Sequence, residues 1–253
     1  MNELFIGGGG FDGFTFLGAL EYIHKNELLD LKTIYGCSIG AYISVMYSLF
    51  RNPTQILDFM LSLDPKEIAK IDIRNITKTY SILDSTVLDA LLEGLELSDE
   101  TTIYDVYKKT DVHINIYVTN VDKNEYQILS DTLTPDIKIK DALKASMSIP
   151  FLFPPVTIND ETYIDGCCKN LYGSPPNDHY ILGYSIIGKI KKGPHYVNLL
   201  RTLINNKEPR GSFIIRCDKT NNFSKYADMG NINRLELIEM YSQGVVEAKE
   251  QLL

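Results

Sequence analysis

Several large classes of protein are excluded by what this chain lacks. It has no excess of positive charge, because 25 Lys and Arg stand against 33 Asp and Glu among 253 residues, a formal net charge of −8. Binding a phosphate backbone needs clustered Lys and Arg that release counterions, so the acidic balance argues against a broad nucleic-acid face, and any anionic partner is expected to be met locally. It also lacks a long hydrophobic run. The longest markedly apolar stretch, Ile39 to Phe50, contains two serines and falls short of the ~20 residues that a transmembrane helix takes. The opening Met1-Asn2-Glu3-Leu4-Phe5-Ile6 carries an acid where a signal peptide has a positive region, and its apolar run stops at glycines. The expectation is an intracellular, cytoplasmic protein that touches membranes only at their surface.

Cysteine and histidine are scarce, with four of each. Cys37, Cys167, Cys168 and Cys217 show no CxxC spacing for zinc, and the adjacent pair Cys167-Cys168 does not suit a disulfide. Reduced thiols and no metal site are therefore expected. Among the histidines, His24 falls in an amphipathic helical pattern, His113 in an alternating strand, and His179 and His195 in loops, so none announces a catalytic base. Repeats, low-complexity segments and linkers are also missing. With 44% hydrophobic residues the chain can fill a core, and one domain over residues 1–253 is expected.

The elements that are present alternate. Leu4-Phe5-Ile6 reads as a strand that enters Gly7 to Gly10, and Phe14, Leu17, Leu20 and Ile23 recur at helical spacing up to about Asn26. Thr33-Ile34-Tyr35 is a second strand, closed by Gly36-Cys37-Ser38-Ile39-Gly40 and followed by a helix apolar on every side, which marks burial. Residues 52–110 read as helical, with Asn52-Pro53 and Asp64-Pro65 as caps. Val112 to Val121 and Glu125 to Leu129 form a hairpin, Asp141 to Ser146 a helical turn, and Ile149 to Val156 a proline-broken apolar loop. A second hairpin turns at Asn159-Asp160 into Thr162-Tyr163-Ile164, ending at Asp165-Gly166. Strands at Tyr180 to Ile187 and Ser212 to Cys217 flank a helix near residues 196–204, and residues 232–253 make a closing helix. This alternation predicts an α/β fold around a mostly parallel sheet. The one dense basic cluster is Lys189, Lys191 and Lys192, a candidate contact with an anionic membrane surface.

Two glycine motifs carry the chemistry. Gly36-x-Ser38-x-Gly40 between a strand and a buried helix has the layout of a nucleophile elbow, whose alternative reading is a serine that caps the helix. Gly7 to Gly13 also joins a strand to a helix, so its N–H groups would face an anion. It satisfies GxGxxG, but Asp30 precedes the second strand where a ribose-binding acid should end it, so dinucleotide binding is not expected. The remaining candidate anion is the oxygen of a tetrahedral acyl intermediate beside Ser38. Asp165, at the end of a strand and next to Gly166, is the candidate base. Burial near Phe151-Leu152-Phe153 would raise the basicity of its carboxylate.

Taken in order, Gly7 to Gly13, Gly36 to Gly40, Ala142 to Pro150 with Phe153 to Val156, and Tyr163-Ile164-Asp165-Gly166 resemble the patatin-like phospholipases over residues 4–170. The resemblance implies a three-layer α/β fold with a mostly parallel central sheet flanked by helices, and a serine hydrolase that cleaves fatty acyl esters of lipids. It implies Ser38 as nucleophile, Asp165 as base, and Gly8, Gly9, Gly10 and Phe11 as the oxyanion hole. Gly13, Gly36, Gly40 and Gly166 would be motif glycines. It implies no metal or cofactor and a phospholipid or other acyl-lipid substrate, while the net charge of −8 disfavours tight adsorption to anionic membranes, so that transient membrane contact or the help of a protein activator is expected. Asn170 matches an asparagine that follows the family's Asp-Gly-Gly. Two positions depart from the pattern: Asp12 stands where many relatives carry Lys or Arg, and Cys167 where many carry glycine. Asp12 would oppose an oxyanion if it faced the site and would matter little in solvent, and Cys37 should point away from the attacking oxygen. Two other readings remain, a Ser-Asp-His hydrolase using His179 or His195, and a catalytically weak lipid-binding or interaction protein on the same fold.

Overall fold

The structure, a computed structural model, describes residues 1–64, 74, 76–170, 179–183, 213–217 and 233–252. Eight strands form one sheet: β1 (Glu3–Ile6), β2 (Thr33–Cys37), β3 (His113–Asn120), β4 (Glu125–Ser130), β5 (Val156–Ile158), β6 (Glu161–Asp165), β7 (His179–Gly183) and β8 (Phe213–Cys217). β3, β2, β1, β7 and β8 lie side by side and parallel, as the alternation of strands and helices predicts. β4, β5 and β6 are antiparallel additions from the two expected hairpins.

Alternate residues of the central strands feed two clusters, since successive side chains point to opposite faces. Leu4, Ile6, Ile34, Ile116 and Val118 join the large core shared with the helices. Phe5, Tyr35, Cys37 and Tyr117 form a smaller cluster, against which Ile128 and Cys167 pack. Strands buried on both faces explain why Leu4-Phe5-Ile6 is continuously apolar rather than alternating.

The register of β3 positions the site. One edge of β3 carries β4 from Asn115 to Asn120. The opposite edge is shared: β2 occupies it as far as Tyr117, paired with Cys37, and β6 takes over at Val118, paired with Asp165. β2 is parallel to β3 and β6 antiparallel, so the two strands run toward each other and end on adjacent rungs.

The helices are α1 (Gly13–Lys25), α2 (Ile39–Phe50), α3 (Pro53–Ser62), α4 (Ile76–Thr79), α5 (Thr86–Glu93), α6 (Ile103–Thr110), α7 (Ile139–Met147) and α8 (Arg234–Leu252). α2 is buried from Ile39 to Ser48, in keeping with its apolar circumference. Asn52 caps α3 by accepting from the Gln55 N–H at 3.2 Å, with Pro53 in the first turn, and Thr102 and Asp105 form a reciprocal capping box on α6. α8 lies against α1 backbone to backbone: a Cβ on Gly18 would strike the Tyr241 carbonyl, and one on Gly244 the Thr15 carbonyl.

Two local expectations change. The turn expected at 141–146 is the full helix α7, whose first amide, Ile139 N–H, donates to the Thr101 carbonyl at 2.9 Å. Residues 81–83, expected to be helical, are extended, and the Ile82 and Leu83 N–H groups donate to the Phe151 and Leu152 carbonyls at 3.0 Å. Pro65 of the Asp64-Pro65 cap, the strand beyond Gly183, the helix at 196–204 and the Lys189, Lys191 and Lys192 cluster lie outside the described residues. No helix among the described residues is long and apolar enough to cross a membrane.

Candidate active site

β2 ends at Cys37 and α2 begins at Ile39, so the chain must reverse at Ser38 alone. It does so at φ 54° and ψ −130°, a conformation that costs a residue with a Cβ about 1–3 kcal/mol. Close packing holds the turn. A Cβ on Gly36 would lie 2.7 Å from the Ala41 nitrogen, and one on Gly40 would run into the Ile6 and Gly7 carbonyls. The Ser38 N–H donates to Ser146 Oγ at 2.9 Å, and the Ser146 hydroxyl in turn donates to the Tyr117 carbonyl at 2.7 Å. With its amide engaged, Ser38 is not simply a helix cap, and its side chain makes no capping bond. The residue is 4% exposed.

Asp165 meets this turn from the other strand. Its N–H donates to the Ser148 carbonyl at 2.9 Å, its own carbonyl accepts from Thr119 Oγ1 at 2.9 Å, and Oδ1 accepts from the Cys167 N–H at 2.8 Å. Oδ2 is buried without a hydrogen-bond partner. Burial pushes the carboxyl up to about 6, against the opposite pull of the Ser38 hydroxyl and Cys167. A Cβ on Gly166 would meet the Tyr117 carbonyl and Cys37 Sγ, so the chain can pass there only as glycine.

The glycine loop closes the third side. The Gly7 N–H extends the β1–β7 pairing by donating to the Ile181 carbonyl at 3.0 Å. At Gly8 a Cβ would lie 3.1 Å from the Ser38 Cβ and overlap Cys167 Sγ, so the loop backbone lies directly on the elbow. A Cβ on Gly9 would press on the Phe16 ring, and Gly10, Phe11 and Asp12 then form a 3₁₀ turn into α1. Gly13 lies against Ile39, so α1 and α2 start side by side and both positive ends face this region. Asp12 is 2% exposed at the α1 N-terminus, which removes the solvent-facing alternative and places an acid where the helix dipole favours one.

The structure thus brings Gly8, Ser38 and Asp165 together from three segments. It brings no described histidine to them: His24 Nδ1 pairs with the Tyr47 hydroxyl at 3.1 Å, and His113 Nδ1 with Asp131 at 2.7 Å. His195 and the side chain of His179 lie outside the described residues. Sequence reasoning assigned no role to Ser146, Ser148 or Thr119. The only trace of the two serines was the run Lys144-Ala145-Ser146-Met147-Ser148, in which small polar residues interrupt a buried helical face, and Thr119 left none. It also missed a cysteine pair 130 residues apart, since Cys37 Sγ and Cys167 Sγ lie 3.3 Å from each other. Cys37 Sγ, Cys167 Sγ and an Asp165 oxygen all lie within 4.8 Å of one another, the one such metal-competent group among the described residues.

The model of the patatin-like phospholipases matches residues 4–171, about two thirds of the chain and every segment of the site. The chain belongs to this family. It is 28% identical over 170 residues to the probable lipid hydrolase 463L of invertebrate iridescent virus 6, covering 64% of this chain and 58% of that protein. It is 27% identical over 172 residues to the uncharacterized protein R571 of Acanthamoeba polyphaga mimivirus, covering 66% and 58%. In both cases the shared region spans little more than half of the relative. VipD from Legionella pneumophila shares the fold, with a TM-score of 0.56 at 14% identity over 99% of this chain and 66% of that one. The central sheet flanked by helices is the mixed α/β fold that the chain shares with this neighbour.

Proposed function

We propose that this patatin-like protein is a lipid acyl hydrolase of phospholipase A or lysophospholipase type, working through a Ser38–Asp165 dyad and an acyl-enzyme. Ser38 Oγ attacks the ester carbonyl while Asp165 takes its proton, the N–H groups of the Gly8–Phe11 loop receive the oxyanion, and as the C–O bond breaks Asp165 returns the proton to the leaving alcohol. Asp165 then activates water to release the fatty acid. The observation that carries this reading is the meeting of β2 and β6 on one edge of β3, which sets a strained serine beside a buried carboxylate with one unpartnered oxygen. A carboxyl raised to about 6 by burial is a far better base than one in water and is still mostly ionised at pH 7.

An acyl-lipid substrate is supported by the surroundings of the acid. Ser148, whose carbonyl holds Asp165, is followed within three residues by Phe151, which is 42% exposed. Three residues reach at most about 11 Å, so this aromatic stands within an acyl chain's length of the dyad. Tyr80, 70% exposed, lies next to the strand segment paired with Phe151, and together they offer apolar surface to a lipid.

The test is fatty-acid release from mixed phospholipid and lysophospholipid micelles by the wild type, Ser38→Ala and Asp165→Asn. Release by the wild type that both substitutions reduce by roughly a thousandfold or more is expected. Release that survives Ser38→Ala would overturn the assignment, and loss of activity in either histidine variant, His179→Ala or His195→Ala, would replace the dyad with a triad.

A further inference from the structure

We propose that Cys37, Cys167 and Asp165 form an inhibitory site for a thiophilic divalent cation of the Zn²⁺ class, built into the catalytic centre. The three ligand atoms come from the two strand ends that meet on β3. Cys37 closes β2, while Asp165 and Cys167 stand on either side of Gly166 after β6. The thiols are 3.3 Å apart, and all three ligand atoms lie within 4.8 Å. Tetrahedral coordination with Zn–S near 2.3 Å and Zn–O near 2.1 Å puts ligand atoms about 3.5–3.8 Å from one another, so small side-chain movements close the site. The carboxylate is prepared for it. Oδ1 is occupied by the Cys167 N–H, and Oδ2 is buried without a partner.

The donor set selects the ion. Two sulfurs exclude Mg²⁺ and Ca²⁺, which take oxygen ligands, and one carboxylate beside them suits the borderline-soft Zn²⁺ better than a purely thiophilic monovalent ion. Binding forms two Zn–S bonds and one Zn–O bond and sends two thiol protons to solvent, with no change of oxidation state. Access is the substrate's own, because an ester that reaches Ser38 opens the way to its neighbour Asp165. The consequence rests on the proposed hydrolase reading: with an oxygen of Asp165 on the ion, the Ser38 proton has nowhere to go and hydrolysis stops until the metal leaves.

The experiment titrates chelator-treated full-length protein, kept reduced by a phosphine, with Co²⁺ as the spectroscopic probe and Zn²⁺ as the inhibitor. The wild type is expected to develop thiolate-to-cobalt absorption in the near ultraviolet that Zn²⁺ bleaches, while Cys37→Ser combined with Cys167→Ser develops none. Each single serine variant should bind at least about tenfold more weakly, since even neighbours of a metal ligand carry that much affinity. Zinc should suppress wild-type fatty-acid release reversibly with EDTA, and the Cys167→Ser protein should keep a larger share of its own metal-free rate at the same zinc concentration. Because Cys167 is only partly buried, this variant serves if Cys37→Ser does not fold. Absence of thiolate absorption in the wild type, an undiminished signal in Cys167→Ser, or equal zinc sensitivity of the double variant would each overturn the proposal. Absorption without any hydrolysis by the metal-free protein would sink the hydrolase reading instead and leave the metal site standing.

Discussion

The turns that end β2 and β6 meet at one point but are held in different ways. The serine turn is held by shape: Ser38 sits at φ 54° because Gly36 packs on Ala41 and Gly40 on the Ile6 and Gly7 carbonyls, and its amide is tied to Ser146. The acid turn is relaxed in backbone terms, with its N–H and C=O both satisfied, and its cost is electrostatic: a buried carboxylate with one bare oxygen. Conformational strain does not depend on pH, whereas the cost of a buried charge does. One candidate site therefore stores two kinds of unfavourable free energy, and they can be separated by experiment.

The largest effect should come from breaking the shape of the serine turn. Gly40→Ala forces a Cβ into two carbonyls of β1, and a loss of about 3 kcal/mol or more is expected in denaturant melts, independent of pH between 5 and 8. A loss below ~1 kcal/mol would mean that the elbow does not depend on this contact.

Asp165→Asn should act in the opposite direction. The folded carboxyl lies at about 6, above its ordinary value near 4, so folding favours the protonated form. The contribution of Asp165 to wild-type stability is full below about pH 4 and is lost as pH rises through about 6. The amide escapes this loss, and Asp165→Asn should be about 2–3 kcal/mol more stable than the wild type at pH 8 in EDTA buffer, with the gap closing toward pH 4. Under the proposed dyad, the same ionisation predicts that wild-type kcat/KM rises through about pH 6 and then levels, because Asp165 would have to be unprotonated. A stability gain that is the same at pH 4 and pH 8 would detach it from the carboxylate.

Ser146→Ala removes the hydroxyl that ties the serine turn to β3 and leaves the Ser38 N–H and the Tyr117 carbonyl buried without it. A loss of about 1–2 kcal/mol is expected, with kcat falling more than KM rises, since the nucleophile is misplaced rather than removed. The smallest effect belongs to Ser38→Gly, which relieves the left-handed backbone and should raise stability by about 1 kcal/mol at every pH, while abolishing hydrolysis. If the gain followed pH as that of Asp165→Asn does, the distinction between the two turns would fail.

Much of this was legible in the chain. Ser38 and the glycine loop could be read because the residues of a strand–turn–helix are neighbours in sequence, and a sharp turn needs small residues at fixed spacing. Asp12 was noticed as a departure, yet its burial was not, since burial at a helix start depends on what packs over it. Ser146 and Thr119 remained silent because a buried hydroxyl is spent on a distant backbone group that no local pattern identifies. The same holds for Gly18 and Gly244, which look like ordinary helix residues until α1 and α8 lie backbone to backbone.

Local periodicity, turn chemistry and composition thus determined the alternation of elements, the buried α2, the elbow at Ser38 and the acidic balance of charge. All of them depend on contacts within a few residues or on sums over the chain. Only the tertiary structure decided that β6 runs antiparallel into the end of β2 on a shared edge of β3. That single pairing lifts the Asp165 carboxyl toward 6, leaves its Oδ2 bare, and sets Cys167 beside Cys37 across 130 residues. The physical reason is that desolvation and thiol contact are properties of packed neighbours, which sequence distance does not measure.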